Sequence, residues 1–166
     1  MPMKFEELVR HYADKNKSTT ESSVDWQERK TWWQQRVSQL FDEIDGWLKP
    51  LIESNTVTFS KKNVSLTEEA LGNYEIESCT IGLQQQKLTF KPLGSVIIGG
   101  FGRIDVDGPN GSVMLILCTP EKDVPRDQVR DKATWFISHP KKRTDLGPFT
   151  KEAFEQLFAD LFGIEG

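Results

Sequence analysis

The sequence predicts an α+β fold in which helices at both ends of the chain flank a sheet of consecutive antiparallel strands. Apolar residues recur at helical spacing over residues 22–50 and again after Phe149, whereas between them the spacing shortens toward the alternation of β-strands. No helical pattern separates successive strand patterns, as a parallel sheet would require. We therefore expect two N-terminal helices, the second one long, then about six strands in an antiparallel meander curved around it, and finally an amphipathic helix.

Length and composition favour one globular domain. The 166 residues are 37% hydrophobic and 28% charged, which is enough apolar material for a core without disulfides or metals. We expect residues 1–166 to form this domain, with 1–23 as a loosely attached helical arm and linker. No run approaches the roughly 18 apolar residues that a membrane-spanning helix needs, and the N-terminus has no signal-peptide pattern. The sequence thus predicts a soluble cytoplasmic protein without a membrane partner.

The first helix is predicted over residues 3–13, where Phe5, Leu8 and Tyr12 stand at helical spacing. Residues 14–23 are polar, rich in Ser and Thr, and lack an apolar anchor. Such a composition is typical of a linker. This arm is therefore expected to dock loosely.

The long helix over residues 22–50 is the element around which the fold is expected to assemble. We expect Ser22 to cap its start, with Asp25 three residues later, and Pro50 to end it after Leu48. Its apolar stripe needs a broad partner such as a sheet, because a tryptophan side chain buries about 150 to 250 Å². The stripe comprises Trp26, Trp33, Val37, Leu40, Phe41, Ile44, Trp47 and Leu48.

Strand patterns begin after this helix. Residues 56–59 have β-like composition, whereas 65–68 resemble a capping box that opens a helical turn closed by Gly72, with an extended conformation as the alternative. Residues 74–83 alternate, but their apolar positions change parity near Ser78. One inserted residue would produce that change, so we expect a β-bulge there.

The strongest hairpin signal is the DGPNG segment at 107–111, because Asp-Gly and Asn-Gly accept the positive φ of tight turns. Pro92 and Gly94 punctuate the chain before it, and His139-Pro140 ends the last strand. The strands in this half of the chain are expected at 88–90, 96–98, 103–106, 112–118 and 135–137.

The C-terminal helix is predicted from its ends as well as its stripe. Thr150 is expected to cap its start, Phe149 to pack on Phe154, and Gly163 to end it. A small barrel capped by this helix, in the manner of pleckstrin-homology-like domains, is the alternative architecture. The sequence has no internal repeat and no motif that decides between the two.

The glycine-rich segment at 99–103 suggests a phosphate-binding loop, because bare backbone amides beside an arginine can hold an oxyanion. The dinucleotide pattern would need a glycine at Asp105 and then a helix, and the P-loop pattern would need Gly-Lys-Ser/Thr. Neither is present. We interpret the glycines as permitting a bend or bulge in the sheet.

Arg103, Asp105 and Asp107 form a weak polar cluster, since alternate residues of a strand share one face. Two carboxylates there could bind a metal or transfer protons. A nuclease of the restriction-enzyme type would also need Glu-x-Lys on the next strand, whereas 114–118 holds no acidic or basic residue. We interpret the cluster as a solvated, salt-bridged strand face.

Metal and nucleophile motifs are missing from the sequence. The two histidines stand in no HExxH, the two cysteines lack CxxC spacing, and there is no Gly-x-Ser-x-Gly. We expect no metal, no cofactor and no catalytic residue. Cys79 and Cys118 lie in apolar strand patterns, where a free cysteine usually serves as a small hydrophobe.

The compact basic cluster is His139, Lys141, Lys142 and Arg143, which we expect in a loop that could contact phosphate groups. A net charge of −4 gives no general attraction to nucleic acid. The cluster is therefore a candidate anion contact, and a charge run of three is more commonly a solvated loop.

Trp32 is the candidate interface residue, together with Arg36. It lies beside Trp33 but about 120° from the centre of the apolar stripe, so it is expected to be partly exposed unless the first helix covers it. An exposed tryptophan next to an arginine has the composition of an interface anchor.

Three function hypotheses follow from these patterns. The first is a non-catalytic interaction or accessory domain that binds a protein partner or self-associates, because core-building signals are complete and no catalytic constellation is. The second is binding of nucleic acid or an anionic ligand through the 139–143 loop. The third is an enzyme of unknown type that uses Asp105 and Asp107.

Overall fold

A computed structural model describes residues 5–6, 25–97, 100–119, 124–125, 128–139 and 142–165. For residues 139 and 142–146 it describes the backbone alone. The predicted first helix and the linker that follows lie outside this part of the chain, except that Phe5 and Glu6 are helical.

Two helices and seven strands make up the described fold, which confirms the α+β class. The helices are α1 (Trp26–Glu53) and α2 (Lys151–Phe162). The strands are β1 (Val57–Glu68), β2 (Gly72–Leu83), β3 (Gln86–Gly94), β4 (Gly102–Gly108), β5 (Gly111–Cys118), β6 (Thr134–His139) and β7 (Lys142–Pro148).

The strands form one antiparallel sheet in the order β1 to β7, so each strand pairs with its neighbours in sequence. No pairing joins β1 to β7 in the described residues, and the sheet is therefore open rather than a closed barrel. The expectation of about six strands was wrong in two places. Ile97 of the predicted strand 96–98 makes only an isolated bridge to Gly100, and β7 was not predicted.

Helix α1 differs from its prediction at both ends. Asp25 is the N-cap, and its side chain accepts a hydrogen bond from the Glu28 amide at 3.1 Å, so the expected start at Ser22 was wrong. Pro50 lies inside the helix, which continues to Glu53. A proline so close to the C-terminus removes one hydrogen bond, to the carbonyl of residue 46, and three further residues complete the last turn.

The β1–β2 hairpin corrects two further predictions. Residues 65–68 are extended and belong to β1, since a ladder of paired residues outweighs a local capping signal. Gly72, with φ of 72°, closes the hairpin turn instead of a helical turn. The ladder from Val57 to Glu68 has no register shift, so the bulge expected near Ser78 is absent from this pairing.

The parity change in β2 occurs where a second neighbour begins. Ser78 and Cys79 are both buried, and Cys79 is the first residue of β2 that pairs with β3. Residues 72–78 therefore pair with β1 alone. Gln34 of α1 donates a hydrogen bond to the Glu75 carbonyl at 2.7 Å, so the helix covers part of the edge of this segment that has no second strand beside it.

The β4–β5 turn and the two ends of α2 confirm the predicted local signals. The turn at 109–110 joins β4 and β5, with Gly111 at φ 141°. Thr150 accepts a hydrogen bond from the Ala153 amide at 3.2 Å, and Gly163 adopts the left-handed conformation after the helix. The Phe149 and Phe154 rings meet edge to face.

The core lies where the two helices meet the sheet. Helix α1 contacts β1 and β2, and α2 contacts β3, β4 and β5. Phe90 of β3 packs against Phe41 of α1 and Phe154 of α2, and Trp47 packs against Phe154. Neither described helix is long and apolar enough to cross a membrane.

Candidate functional site

A cluster of aromatic and arginine side chains surrounds Trp32 in the first third of α1. Successive residues of a helix point about 100° apart, so Trp32 leaves the core face on which Trp33 lies. Trp32 is half-buried, and its ring meets the edge of Phe101 with a centroid distance of 5.9 Å. The partial exposure predicted from the helical angle is therefore present.

Three arginines surround these two rings. The Arg130 guanidinium lies 5.2 Å from the Trp32 ring centre, Arg36 lies 5.9 Å from it, and Arg29 lies 5.1 Å from the Phe101 ring. These distances are within the range of cation–π attraction. We call these five residues the Trp32 cluster.

The charges of the cluster are unevenly compensated. Arg130 forms a two-pronged ion pair with the carboxylate of Glu28, with one contact of 2.9 Å. Arg29 donates to the Ser95 carbonyl at 2.7 Å, and neither Arg29 nor Arg36 forms an ion pair with any described residue. Within the described residues, these two cations therefore have no carboxylate in an ion pair with them.

Burial lowers the pKa of both Arg29 and Arg36. It lowers the pKa of the Arg29 guanidinium, and the positive charge of Arg130 lowers it further, while Glu68 and Glu28 raise it. Burial also lowers the pKa of Arg36, against the opposing effect of Glu43. Both guanidinium groups remain protonated at neutral pH. Burial makes each positive charge less favourable than in water, and an approaching anion would offset this desolvation free energy.

A shallow cavity of about 380 Å³ lies beside Trp32. Its size is at the lower end of the range for ligand sites, and most of its exposed surface is contributed by apolar atoms. The lining residues are Asp25, Gln27, Glu28, Thr31, Trp32 and Gln35.

A hydrogen-bonded chain supports the cluster from below. The Trp33 indole donates to the Tyr74 hydroxyl at 3.2 Å, and that hydroxyl donates to the Glu68 carboxylate. Glu68 also accepts from the backbone amides of Ser95 and Val96, each at 2.9 Å. The carboxylate thereby fixes the start of the loop that carries Phe101.

The other end of this loop is also fixed. The Phe101 amide donates to the Leu117 carbonyl at 2.7 Å. Glu68, Ser95 and Phe101 were not predicted as site residues, because no local pattern marks residues that act through distant partners. The predicted role of the glycines beside Phe101 is to permit a bend in the sheet.

The weak polar cluster forms a short ion pair on β4. Arg103 binds the Asp105 carboxylate through two nitrogens, at 2.8 and 3.3 Å, and both side chains are partly exposed. In the described part of the chain, no group of three His, Cys, Asp or Glu residues could hold a metal ion. A catalytic use of Asp105 and Asp107 stays a prediction.

The basic cluster lies at the β6–β7 hairpin. His139 and Lys142 are paired in the ladder, while Pro140 and Lys141 fall outside the described residues. The side chains of His139, Lys142 and Arg143 are likewise outside them. Anion binding through this segment stays a prediction.

Both cysteines are free and buried, as expected of small apolar residues. Burial raises the pKa of the Cys79 thiol and that of Cys118. Such thiols are weak nucleophiles at neutral pH, so neither is a candidate catalytic residue.

Comparison with models of protein families gives no match, and neither the curated proteins nor the solved structures include a chain significantly similar to this one.

Proposed function

We propose that this protein is a non-catalytic interaction domain that binds another protein through the Trp32 cluster. The observation that carries the proposal is the position of Trp32, half-buried between Arg36 and Arg130 beside a cavity. Tryptophan and arginine are the residue types most enriched among the energetically dominant positions of protein interfaces.

The side chain of Trp32 is preorganised for binding. Trp32 is held by Phe101, and the loop that carries Phe101 is anchored by Glu68 and Leu117. A side chain that is already ordered loses little conformational entropy on binding, so more of its contact energy contributes to affinity. Arg29 and Arg36, which form no ion pair within the described residues, favour a partner with carboxylate groups beside an apolar side chain.

The experiment compares Trp32→Ala and Arg36→Ala with Trp26→Ala in pull-downs from the native cell, followed by affinity measurement with the purified partner. Trp26 is the matched control, since it is an exposed tryptophan at the start of the same helix. We expect wild type and Trp26→Ala to retain the partner. Trp32→Ala should raise its Kd by about 30-fold, which corresponds to roughly 2 kcal/mol.

The melting temperature decides the interpretation of a loss. If Trp32→Ala lowers it strongly while association is unchanged, Trp32 is a core residue and the proposal is wrong. Equal loss in Trp32→Ala and Trp26→Ala would indicate nonspecific adhesion and would also count against the cluster.

A further inference from the structure

A second concave surface of the described chain lies beside Val96 and Ile97. It is a groove of about 700 Å³ between the β1–β2 turn and the end of β3. Its lining residues are Glu68, Glu69, Ala70, Leu93, Gly94, Val96, Ile97 and Arg103. We call it the Val96 groove.

The groove concentrates exposed apolar side chains. Leu93 is 41% exposed and Val96 is 49% exposed, whereas the other large exposed hydrophobic residues of the described chain are scattered elsewhere. Single exposed apolar residues are ordinary, but neighbouring ones in a concave surface indicate a binding site.

The backbone holds these side chains in place. The β3–β4 register shifts between Pro92 and Gly94, and a shift of this kind re-aims the residue within it, here Leu93. Val96 is held by the bond from its amide to Glu68. Both apolar side chains are therefore presented by an anchored backbone.

The charges on the two walls are opposite. Glu69 lies on the β1–β2 turn and makes no ion pair with any described residue. Arg103 lies across the groove, where its ε and one η nitrogen bind Asp105. One more guanidinium nitrogen of Arg103 can donate to a second carboxylate.

This pattern is self-complementary. A two-fold axis through Val96 would place Glu69 of each copy against Arg103 of the other, with the Leu93 and Val96 side chains packed between them. We infer that a second copy of this chain occupies the Val96 groove, which makes the protein a weak symmetric dimer. This inference is independent of the Trp32 cluster, because none of the five residues of that cluster lines the groove.

Sedimentation velocity over a concentration range from about 5 to about 500 μM tests the dimer. Wild type should show a monomer–dimer equilibrium. Glu69→Arg and Arg103→Glu should each sediment as monomers, because each places like charges against one another across the axis. An equimolar mixture of the two variants should restore the dimer, since both pairs of opposite charge are then re-formed.

An apolar variant and its control complete the experiment. Val96→Gln should weaken the dimer by about tenfold or more without adding charge beside Glu68. Leu51→Gln, at an exposed apolar position of α1, should have no effect. Trp32→Ala should leave the dimer intact, which separates this inference from the proposed function.

Three results would overturn the dimer. They are a wild-type protein that is monomeric at every concentration, charge variants that dimerise as wild type does, and a mixture that fails to re-associate although both variants are folded by circular dichroism.

Discussion

Trp32 and Trp33 are neighbours in sequence, yet they belong to different physical environments. Trp33 is 0% exposed, and its indole nitrogen donates to Tyr74. Trp32 is half-buried and lies between guanidinium groups at the surface. The difference shows that one turn of a helix can supply both a core anchor and a surface anchor, because the helical angle separates two bulky side chains that the chain places together.

The largest effect should come from the buried member of the pair. Trp33→Ala leaves a cavity where the side chain contacts Tyr74 and Trp135, so unfolding in urea should show a loss of about 3 to 5 kcal/mol. Trp26→Ala is the control and should change stability by about 0.5 kcal/mol or less. Similar values for the two variants would contradict the distinction between core and surface.

Gly102 should tolerate no side chain, because a Cβ there would lie 2.0 Å from Cζ3 of Trp33. Gly102→Ala should therefore destabilise the protein by about 1 to 3 kcal/mol in denaturant unfolding. Combined with Trp33→Leu, the same substitution should cost less, since the smaller side chain relieves the overlap. Additive effects of the two changes would show that the two residues are not in contact.

Tyr74→Phe should cost about 1 to 3 kcal/mol, because the Trp33 indole loses its acceptor and Glu68 loses one donor. Thermal and urea unfolding of the variant measure this loss. Ser65→Ala, at an exposed position of the same hairpin, is a matched control. An unchanged free energy of unfolding in Tyr74→Phe would show that this hydrogen-bonded chain does not stabilise the core.

The same tyrosine predicts a decline of stability at alkaline pH. Burial raises the Tyr74 pKa, and the hydrogen bond to Glu68 raises it further, so the folded protein keeps a proton that the unfolded chain releases above about pH 10. The contribution is fully present below that pH and falls by about 1.4 kcal/mol per pH unit above it. Urea unfolding between about pH 8 and pH 11 should show a steeper decline for wild type than for Tyr74→Phe. If stability falls equally steeply with pH in wild type and in Tyr74→Phe, the decline belongs to other groups, among them Cys79.

A smaller change in stability than that of Trp33→Ala should come from Trp32→Ala. The variant loses cation–π contacts and an edge-to-face aromatic contact, which together contribute about 1 kcal/mol at an exposed site. Differential scanning calorimetry should show a minor shift in Tm beside that of Trp33→Ala. Arg36→Lys, which keeps the charge but not the planar group, should shift it less still. Equal shifts for Trp32→Ala and Trp33→Ala would place both residues in the core.

Several parts of the fold were predictable because their signals are local. The hairpin at 107–111, the caps of α2 and the apolar stripe of α1 depend on residues within a few positions of each other. The predictions failed where distant partners decide. The segment 65–68 carries a helix-start signal, but pairing with β2 makes it extended. The prediction that Pro50 ends the helix failed because a proline is compatible with the last turn.

The candidate site divides in the same way. Helical geometry alone placed Trp32 off the core face and beside Arg36, four residues later in the chain. Phe101 and Arg130 could not be foreseen as its neighbours, because strand order and loop path bring them to α1. The Val96 groove was missed for the same reason, since residues 96–98 match the composition of a buried strand.

By itself, the sequence determined the α+β class, the two core helices, the antiparallel meander and the outward position of Trp32. Those features depend on periodicities of 3.6 and 2 residues and on capping residues, which act within one element. Only the tertiary structure decided that β1 runs unbroken to Glu68, that this carboxylate holds Ser95 and Val96, and that Glu69 and Arg103 line the same groove. Those features join residues far apart in the chain, whose proximity follows from the packing of whole elements and leaves no local mark.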